Sequence, residues 1–527
     1  MGRLFGAPGR SRAARRGSNH SNFIRNTSGA VALLFGLTII PILGFVGGAI
    51  DYANAYRTRT KLQSAVDAAA LAAGRELDAG NTSDGARSVA NRVLEANLGD
   101  NFPSYNAVFN ITEVEGNRTV VASADTTVQT YILGVIGVRD MPVTVGSTVN
   151  LAGGNLELAM VLDNSGSMSG SKLRDLKAAS KRLTQILFDA NRRPEAVKIG
   201  VVPFAAAVNV GSDNANAGWM DTQARSSIHD ENFSPKKGQA GFKNRFDIFN
   251  MLRSTSWAGC VEARPGIHMT SDSEPSISDG DTFFVPMLAP DEPDTGGWFS
   301  SYSNNYLDDG GGNCSGSMNG KSDTWRQERS CKYNNERPSG GSGPNYMCDP
   351  RELQPLTDNQ GRVISSIENM RAQGNTNIME GVMWGWRVLS PGEPFTEGRP
   401  YDDRENTKFM IVMTDGANTH NGTSNMNQSI YSAFGYAKNG RLRSPTSNSS
   451  RLAEAMDEKT EEACTNVKAA GIIVYTIAFD LDDNNTVAML RRCASGDSRA
   501  FSIDNGDALI SIFEAIAGEI NKLRIAS

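Results

Sequence analysis

The chain has 527 residues, 39% hydrophobic and 21% charged, so most of it can fold around apolar cores, and its length allows several domains. A net charge of −6, with no large basic field beyond the N-terminus, excludes nucleic acid as an expected partner. Four histidines, and six cysteines without a CxxC pair, leave little for a zinc site.

Residues 1–28 form a basic tail carrying Arg3, Arg10, Arg12, Arg15, Arg16 and Arg25, with no acid and no lysine. Residues 29–50, GAVALLFGLTIIPILGFVGGAI, are uncharged. As a helix they span roughly 33 Å at about 1.5 Å per residue, enough for a bilayer. Pro41 and the glycines are tolerated in such a helix. A cleaved signal peptide has an apolar region of only about 7–15 residues, so the stretch is expected to be an uncleaved, single-pass anchor. The arginine excess predicts a cytoplasmic N-terminus, a bias that Arg57, Arg59 and Lys61 weaken without reversing. Residues 51–527 then lie outside the cytoplasm, where Cys260, Cys314, Cys331, Cys348, Cys464 and Cys493 are disulfide candidates. The sequence does not fix their pairing; Cys464–Cys493 is favoured because one predicted strand separates them.

Residues 51–98 read as a helical stalk: Leu62, Val66, Ala69 and Ala73 recur at helical spacing, and one helix is expected to run to about residue 97. Its alanines suit either a plain stalk or a packing surface for another helix. Residues 99–152 read as a small β-rich unit, with alternating apolar residues broken by a turn at Glu115, Gly116 and Asn117 and a further strand in MPVTVGSTVNL. From 153 the pattern is α/β. Apolar runs at 156–163, 196–208, 407–415, 472–479 and 499–503 alternate with helical patterns at 171–190, 362–372, 377–389, 450–471 and 508–523. This predicts a doubly wound, mainly parallel sheet covered on both faces. The domain comes in two parts, 153–210 and 351–527. Between them, 211–350 is rich in Gly, Asn, Ser and Asp and holds four cysteines with Trp219, Trp257, Trp298 and Trp325, so it reads as one inserted, disulfide-stapled module. A second low-complexity loop covers 417–449.

In such sheets ligands bind at the carboxyl ends of the strands, at the topological switch point. Asp163, Ser165 and Ser167 follow one strand, in VLDNSGSM; Asp415 ends another, in MIVMTDGAN; Thr376 sits in the loop before a helix, in QGNTNIMEG. Two carboxylates and three hydroxyls make an all-oxygen set suited to a hard cation, Mg²⁺ first and otherwise Ca²⁺ or Mn²⁺. Taken singly, the serines also suit helix caps and Asp415 a turn. A serine nucleophile is disfavoured, because NSGS lacks the flanking glycines of the nucleophile elbow. Of the histidines, His20 precedes the apolar segment, His229 and His268 lie in the insertion, and only His420 falls near the predicted edge. No enzymatic activity is expected.

The D-x-S-x-S run, the distant threonine and the TDG turn resemble the metal-ion-dependent adhesion site of von Willebrand factor A domains. That resemblance implies Ser165, Ser167 and Thr376 as metal ligands, Asp163 and Asp415 as direct or water-mediated ones, and a partner's acidic side chain completing the shell. The N-terminal GAVALLF…GAIDYANAYRTRTKLQSAVDAAALAAG resembles the Tad (Flp) pilus-assembly family, and its fusion to an A domain resembles TadG-type proteins. WAGCVEARP (257–265), FFVPMLAPDEPD (283–294) and MWGWRVLSP (383–391) resemble segments of such proteins. The resemblance implies a bacterial inner-membrane component of Tad pilus assembly, its A domain periplasmic or surface-reaching, binding other pilus-assembly or surface proteins. Leu34 stands five residues after Gly29, where pilin-like cleavage sites carry Glu, so prepilin processing is not expected. Two alternatives stay open. One is a surface adhesin for a host or matrix protein; the other is a structural linker in which the metal only stabilises the domain.

Overall fold

The computed structural model describes residues 27–78, 81–114, 117–151, 154–190, 195–294 and 302–526. The basic tail's arginines, His20 and Trp298 lie outside the described residues. The chain divides into two units, Met1–Leu151 and Ala152–Ser527.

In the first unit, α1 (Thr27–Asp78) is a continuous 52-residue helix, about 78 Å long at about 1.5 Å per residue. Part of it is long and apolar enough to cross a membrane. The expectation of a single helix to about residue 97 is corrected: α1 ends at Asp78, and α2 (Ser83–Leu98) begins anew. Thr82 caps α2 by accepting the N–H of Gly85, and Asp84 sits favourably in its first turn. This capping signal, in NTSD, overrides the continuing alanine pattern. β1 (Tyr105–Val114), β2 (Asn117–Gln129) and β3 (Asp140–Leu151) form an antiparallel meander. Leu62, Val66, Ala69 and Ala73 of α1 pack with Ala86, Ala90 and Leu94 of α2 and with Val120, Ala122, Val143 and Val145 of the sheet. The alanine face therefore packs within the chain itself. Small side chains let the helices and sheet approach closely, and the alternate burial along β2 is the period-two signature of a one-sided sheet.

The second unit is a mixed α/β fold. Its elements run β4 (Asn155–Asp163), α3 (Ser171–Asp189), β5 (Val197–Phe204), the short helices α4 (Arg245–Met251) and α5 (Asp323–Glu328), β6 (Gln354–Thr357), α6 (Gln360–Asn369), α7 (Ile378–Leu389), β7 (Asn406–Thr414), α8 (Ser449–Ala469), β8 (Ile473–Phe479), α9 (Asn484–Cys493), β9 (Ala500–Ile503) and α10 (Gly506–Ala526). The sheet order is β6-β5-β4-β7-β8-β9, parallel except for the antiparallel edge strand β6. Leu158, Met160 and Leu162 of β4 face α3 and α10, with Leu183 and Phe513 in the same cluster. Ala159 and Val161 face the opposite side, toward α7. Burial on both faces explains why β4, β7 and β8 are near-continuous apolar runs.

The 211–350 segment has little regular structure, yet Trp219, Phe233, Trp257, Phe284, Tyr306 and Tyr333 share one buried cluster with α7 and β5. Trp384 of α7 packs against Phe284 and Phe395, with ring centroids at 5.0 and 6.2 Å. The disulfides are Cys260–Cys348, Cys314–Cys331 and Cys464–Cys493. Cys260–Cys348 closes a separation of 88 residues and Cys314–Cys331 one of 17. Loop-closure entropy assigns roughly 4–5 kcal/mol to the first and about 3 kcal/mol to the second. Replacing Cys260 and Cys348 together by alanine should therefore lower the urea midpoint of the second unit more than the Cys314/Cys331 double replacement. Equal midpoints would discount the insertion-closing role of the longer bridge.

Candidate metal centre

β4 continues to β5 on one side and, much later in the chain, pairs with β7 on the other. The connections leave β4 and β7 in opposite directions, which opens a crevice beyond their carboxyl ends. Asp163 is the last residue of β4, and Asp415 follows the last residue of β7. Asp163 is fully buried between the two loops. One of its oxygens accepts the backbone N–H of Ser165 at 2.7 Å, and the other accepts the Thr414 hydroxyl at 2.5 Å. Ser165 Oγ and Ser167 Oγ lie 3.0 Å apart, and Ser167 Oγ donates to Asp415 Oδ1 at 2.6 Å.

Thr376 reaches this group because its loop is pinned to the first one. Gly166 N–H donates to Gly374 O at 2.9 Å, Gln373 N–H to Asn164 O at 2.8 Å, and Thr419 N–H to Thr376 O at 2.9 Å. A Cβ placed on Gly416 would meet Thr376 Oγ1 at 3.2 Å and Ser167 Oγ at 3.5 Å. Glycine there leaves open the space between two hydroxyls from different loops. The structure thus gathers Asp163, Ser165, Ser167, Thr376 and Asp415 at one edge. Ser167 is exposed and the other four are buried, so the group opens to solvent on the Ser167 side.

The electrostatics suit a cation. Burial, with a contribution from the charge of Asp415, pushes the Asp163 carboxyl up to about 6, although Thr414 and Ser165 bond its charged form. Lys172 Nζ stands 2.9 Å from Asp415 Oδ2 and 3.0 Å from Asp480 Oδ2, an ammonium already drawn to the acidic edge. Burial opposes the charge on Lys172, but Asp415 and Asp480 outweigh it and raise its pKa. Among the described residues, no group of three or more His, Cys, Asp or Glu side chains is gathered for a metal. Hydroxyls must supply the remaining donors, and the all-oxygen set fits a hard divalent ion.

Three contributors escaped the sequence reading. Thr414, which orients Asp163, looks like one more strand residue. Asp480 looks like a loop acid. Lys172 left a faint signal, because a lysine in the first turn of a helix opposes the helix dipole and asks for an acidic partner. Among the described residues, the histidines are engaged elsewhere. His229 bonds Asp221 at 2.8 Å, His268 bonds Asp279 at 2.9 Å, and His420 Nε2 bonds Ser429 Oγ at 3.0 Å.

The pilus adhesin SpaC from Lactobacillus rhamnosus GG aligns at 13% identity and a TM-score of 0.32, covering 80% of this chain and 35% of its own length. The chain thus spans about a third of that adhesin. The vWF domain of the type V pili tip protein Mfa5 from Porphyromonas gingivalis aligns at 11% identity and a TM-score of 0.32, over 70% of this chain and 95% of that one. Proximal thread matrix protein 1 from the mussel byssus, with a zinc-occupied MIDAS motif, aligns at 10% identity and a TM-score of 0.29, over 70% and 46%. No curated protein matches the sequence. Residues 29–76 match the Tad family model, described as Flp pilus-assembly TadE/G-like, and this chain therefore carries a Tad-type pilus-assembly segment over nearly the whole of α1.

Proposed function

We propose that the protein is a membrane-anchored, non-enzymatic component of Tad/Flp pilus assembly whose second unit is a von Willebrand A-type domain with a divalent-cation-dependent protein-binding site. The observation that carries this reading is the meeting of Asp163, Ser165, Ser167, Thr376 and Asp415 at the switch point of the sheet. Mg²⁺, or Ca²⁺ or Mn²⁺ in its place, would supply a positive charge there that attracts a partner's carboxylate. The chain's own residues do the rest. Ser165, Ser167 and Thr376 would offer neutral oxygens, so the only negative charges set against the ion would be those of Asp163 and Asp415, and no further carboxylate of the chain would repel the partner's. Asp163 and Asp415 hold the ion directly or through water, and Lys172 balances Asp415 before an acidic partner arrives.

The Tad-type match over 29–76 and the apolar stretch of α1 support a membrane anchor. The arginine tail supports a cytoplasmic N-terminus in a bacterial inner membrane, and the three disulfides support an oxidising compartment for the rest. Partner capture by the full chain in detergent should require Mg²⁺ and be abolished by EDTA or by Asp163→Ala. Capture that is equal with and without Mg²⁺, or metal-dependent capture that survives Asp163→Ala, would sink the assignment.

A further inference from the structure

The turn between β2 and β3 displays apolar side chains that the first unit does not cover. Tyr131 is 78% and Val135 85% exposed, and Ile132 and Val138 are also open. Hairpin ends facing water are ordinarily built from Gly, Asn, Asp, Ser and Pro, not from an aromatic and aliphatic run. This turn is also fastened in place. The Asp51 carboxylate, itself buried, accepts the backbone N–H groups of Tyr131, Ile132 and Leu133 at 3.0, 2.9 and 2.8 Å. Ile132 rests on Gly47, where any Cβ would lie 2.1 Å from Ile132 Cγ2.

Gly47 and Asp51 flank the end of the uncharged 29–50 stretch. Further along α1, Gln63 Nε2 donates to Gly146 O of β3 at 2.9 Å. Asp51 and Gln63 are about 18 Å apart along the helix. β3 therefore runs away from the apolar segment, and the β2–β3 turn is the end of the sheet nearest to it. At that level α1 exposes Phe45 (82%), Val46 and Ile50, followed by Tyr52 and Tyr56. Tyrosines succeeding an apolar stretch suit the headgroup region, and Arg139, exposed at the end of the turn, suits lipid phosphates. With Ile132 against Gly47, the exposed apolar residues of the turn stand at the same level of α1 as Phe45, Val46 and Ile50.

We infer that residues 130–139 form a second membrane contact, seated in the interface of the leaflet from which α1 emerges, with phospholipid acyl chains as its apolar ligand. This rests on the reading of 29–50 as a membrane span. Interfacial elements bury apolar side chains about 5–10 Å into the headgroup and acyl boundary. Two contacts, one spanning and one interfacial, fix the tilt of the first unit on the membrane, which a single helix leaves free.

All six tryptophans lie beyond residue 151, so a tryptophan added to the first unit reads as an increment over wild type. Val135→Trp and Phe45→Trp, made separately in the full chain, would be reconstituted into phosphatidylcholine vesicles with and without brominated acyl chains. Both positions are exposed, so neither change disturbs a core. Both increments are expected to lose most of their emission to the brominated lipid. Quenching at Phe45→Trp with none at Val135→Trp overturns the interfacial contact and leaves the span. Quenching at neither overturns the span and the inference with it. Quenching at Val135→Trp alone overturns the span and the two-contact arrangement.

Discussion

Replacing Asp163 by asparagine should abolish the stabilisation of the protein by Mg²⁺ and, in the absence of metal, make it more stable at pH 7 than the wild type. A ligand present at 100 times its dissociation constant stabilises the state that binds it by about 2.7 kcal/mol, and this is the gain that should vanish. The opposite effect without metal follows from the Asp163 carboxyl, which sits at about 6 in the fold against an ordinary 3.8. The folded state then holds this proton more tightly than the unfolded state does. Below the ordinary value both states are protonated and no penalty exists. As pH rises toward and through about 6, the folded chain must bury a charge that the unfolded chain solvates, and stability falls by roughly 3 kcal/mol in all.

Asparagine removes that charge while keeping the local bonds. Its oxygen still accepts from Ser165, and its amide donates to Thr414, whose hydroxyl turns to its existing acceptor, Gly416 O, at 2.9 Å. Thermal unfolding from pH 4 to 8, with and without Mg²⁺, checks all of this. The metal-free wild type should lose stability across that range and Asp163→Asn should not. Protons should also compete with Mg²⁺ below about pH 6. An equal Mg²⁺ shift in both proteins would remove Asp163 from the metal site.

How legible this was depended on how each element is buried. β4, β7 and β8 are covered on both faces, so LELAMVLD, TKFMIVMTD and IVYTIAF stand out as apolar runs, and the acids that end the first two mark the edge. β6 is four residues long, antiparallel, at the edge and contains Pro355, so it leaves no pattern. The break between α1 and α2 was written in the NTSD cap but hidden by the alanine-rich stretches on either side of it. Asp163, Ser165, Ser167 and Asp415 were readable as candidates because their residue types and strand-end positions agree, whereas Thr376 stands in the loop before α7. Thr414 and Lys172 were not, because their roles depend on contacts 251 and 243 residues away. The 211–350 segment was hardest. Periodicity reports regular elements, whereas this segment is buried through scattered aromatics and buried ion pairs.

The largest loss of stability from a single change is expected at one of those ions. Glu262 lies in the 211–350 segment, fully buried. One oxygen accepts from Arg245 at 2.5 Å and also from the Tyr431 hydroxyl, and the other accepts from Arg441 at 2.5 Å. Arg245 is itself buried, and its other donors go to the carbonyls of His229, Ile228 and Pro286 at 2.8, 2.9 and 3.0 Å. Glu262 is thus the counter-charge that lets two guanidiniums remain inside, and it joins the 211–350 segment to the 417–449 loop. Burial opposes its ionisation, but Arg245 and Arg441 outweigh burial and hold its carboxyl below the usual range. Its contribution is present above the ordinary carboxylate pKa and is lost as pH falls through the folded value, the reverse of Asp163.

Glu262→Gln leaves Arg245 without a carboxylate and Arg441 with only Glu231, at 2.8 Å. Breaking a buried pair from one side costs about 3–5 kcal/mol, because the remaining charge stays desolvated. Glu231→Gln is the control. That side chain is 22% exposed and Arg441 keeps Glu262, so its cost should stay within about 1 kcal/mol. Urea unfolding followed by tryptophan emission, to which Trp219, Trp257, Trp384 and Trp386 of the same core contribute, separates the two. If Glu262→Gln proves no worse than Glu231→Gln, the paired ions do not hold the inserted segment to the 417–449 loop, and aromatic packing must hold the segment in place alone.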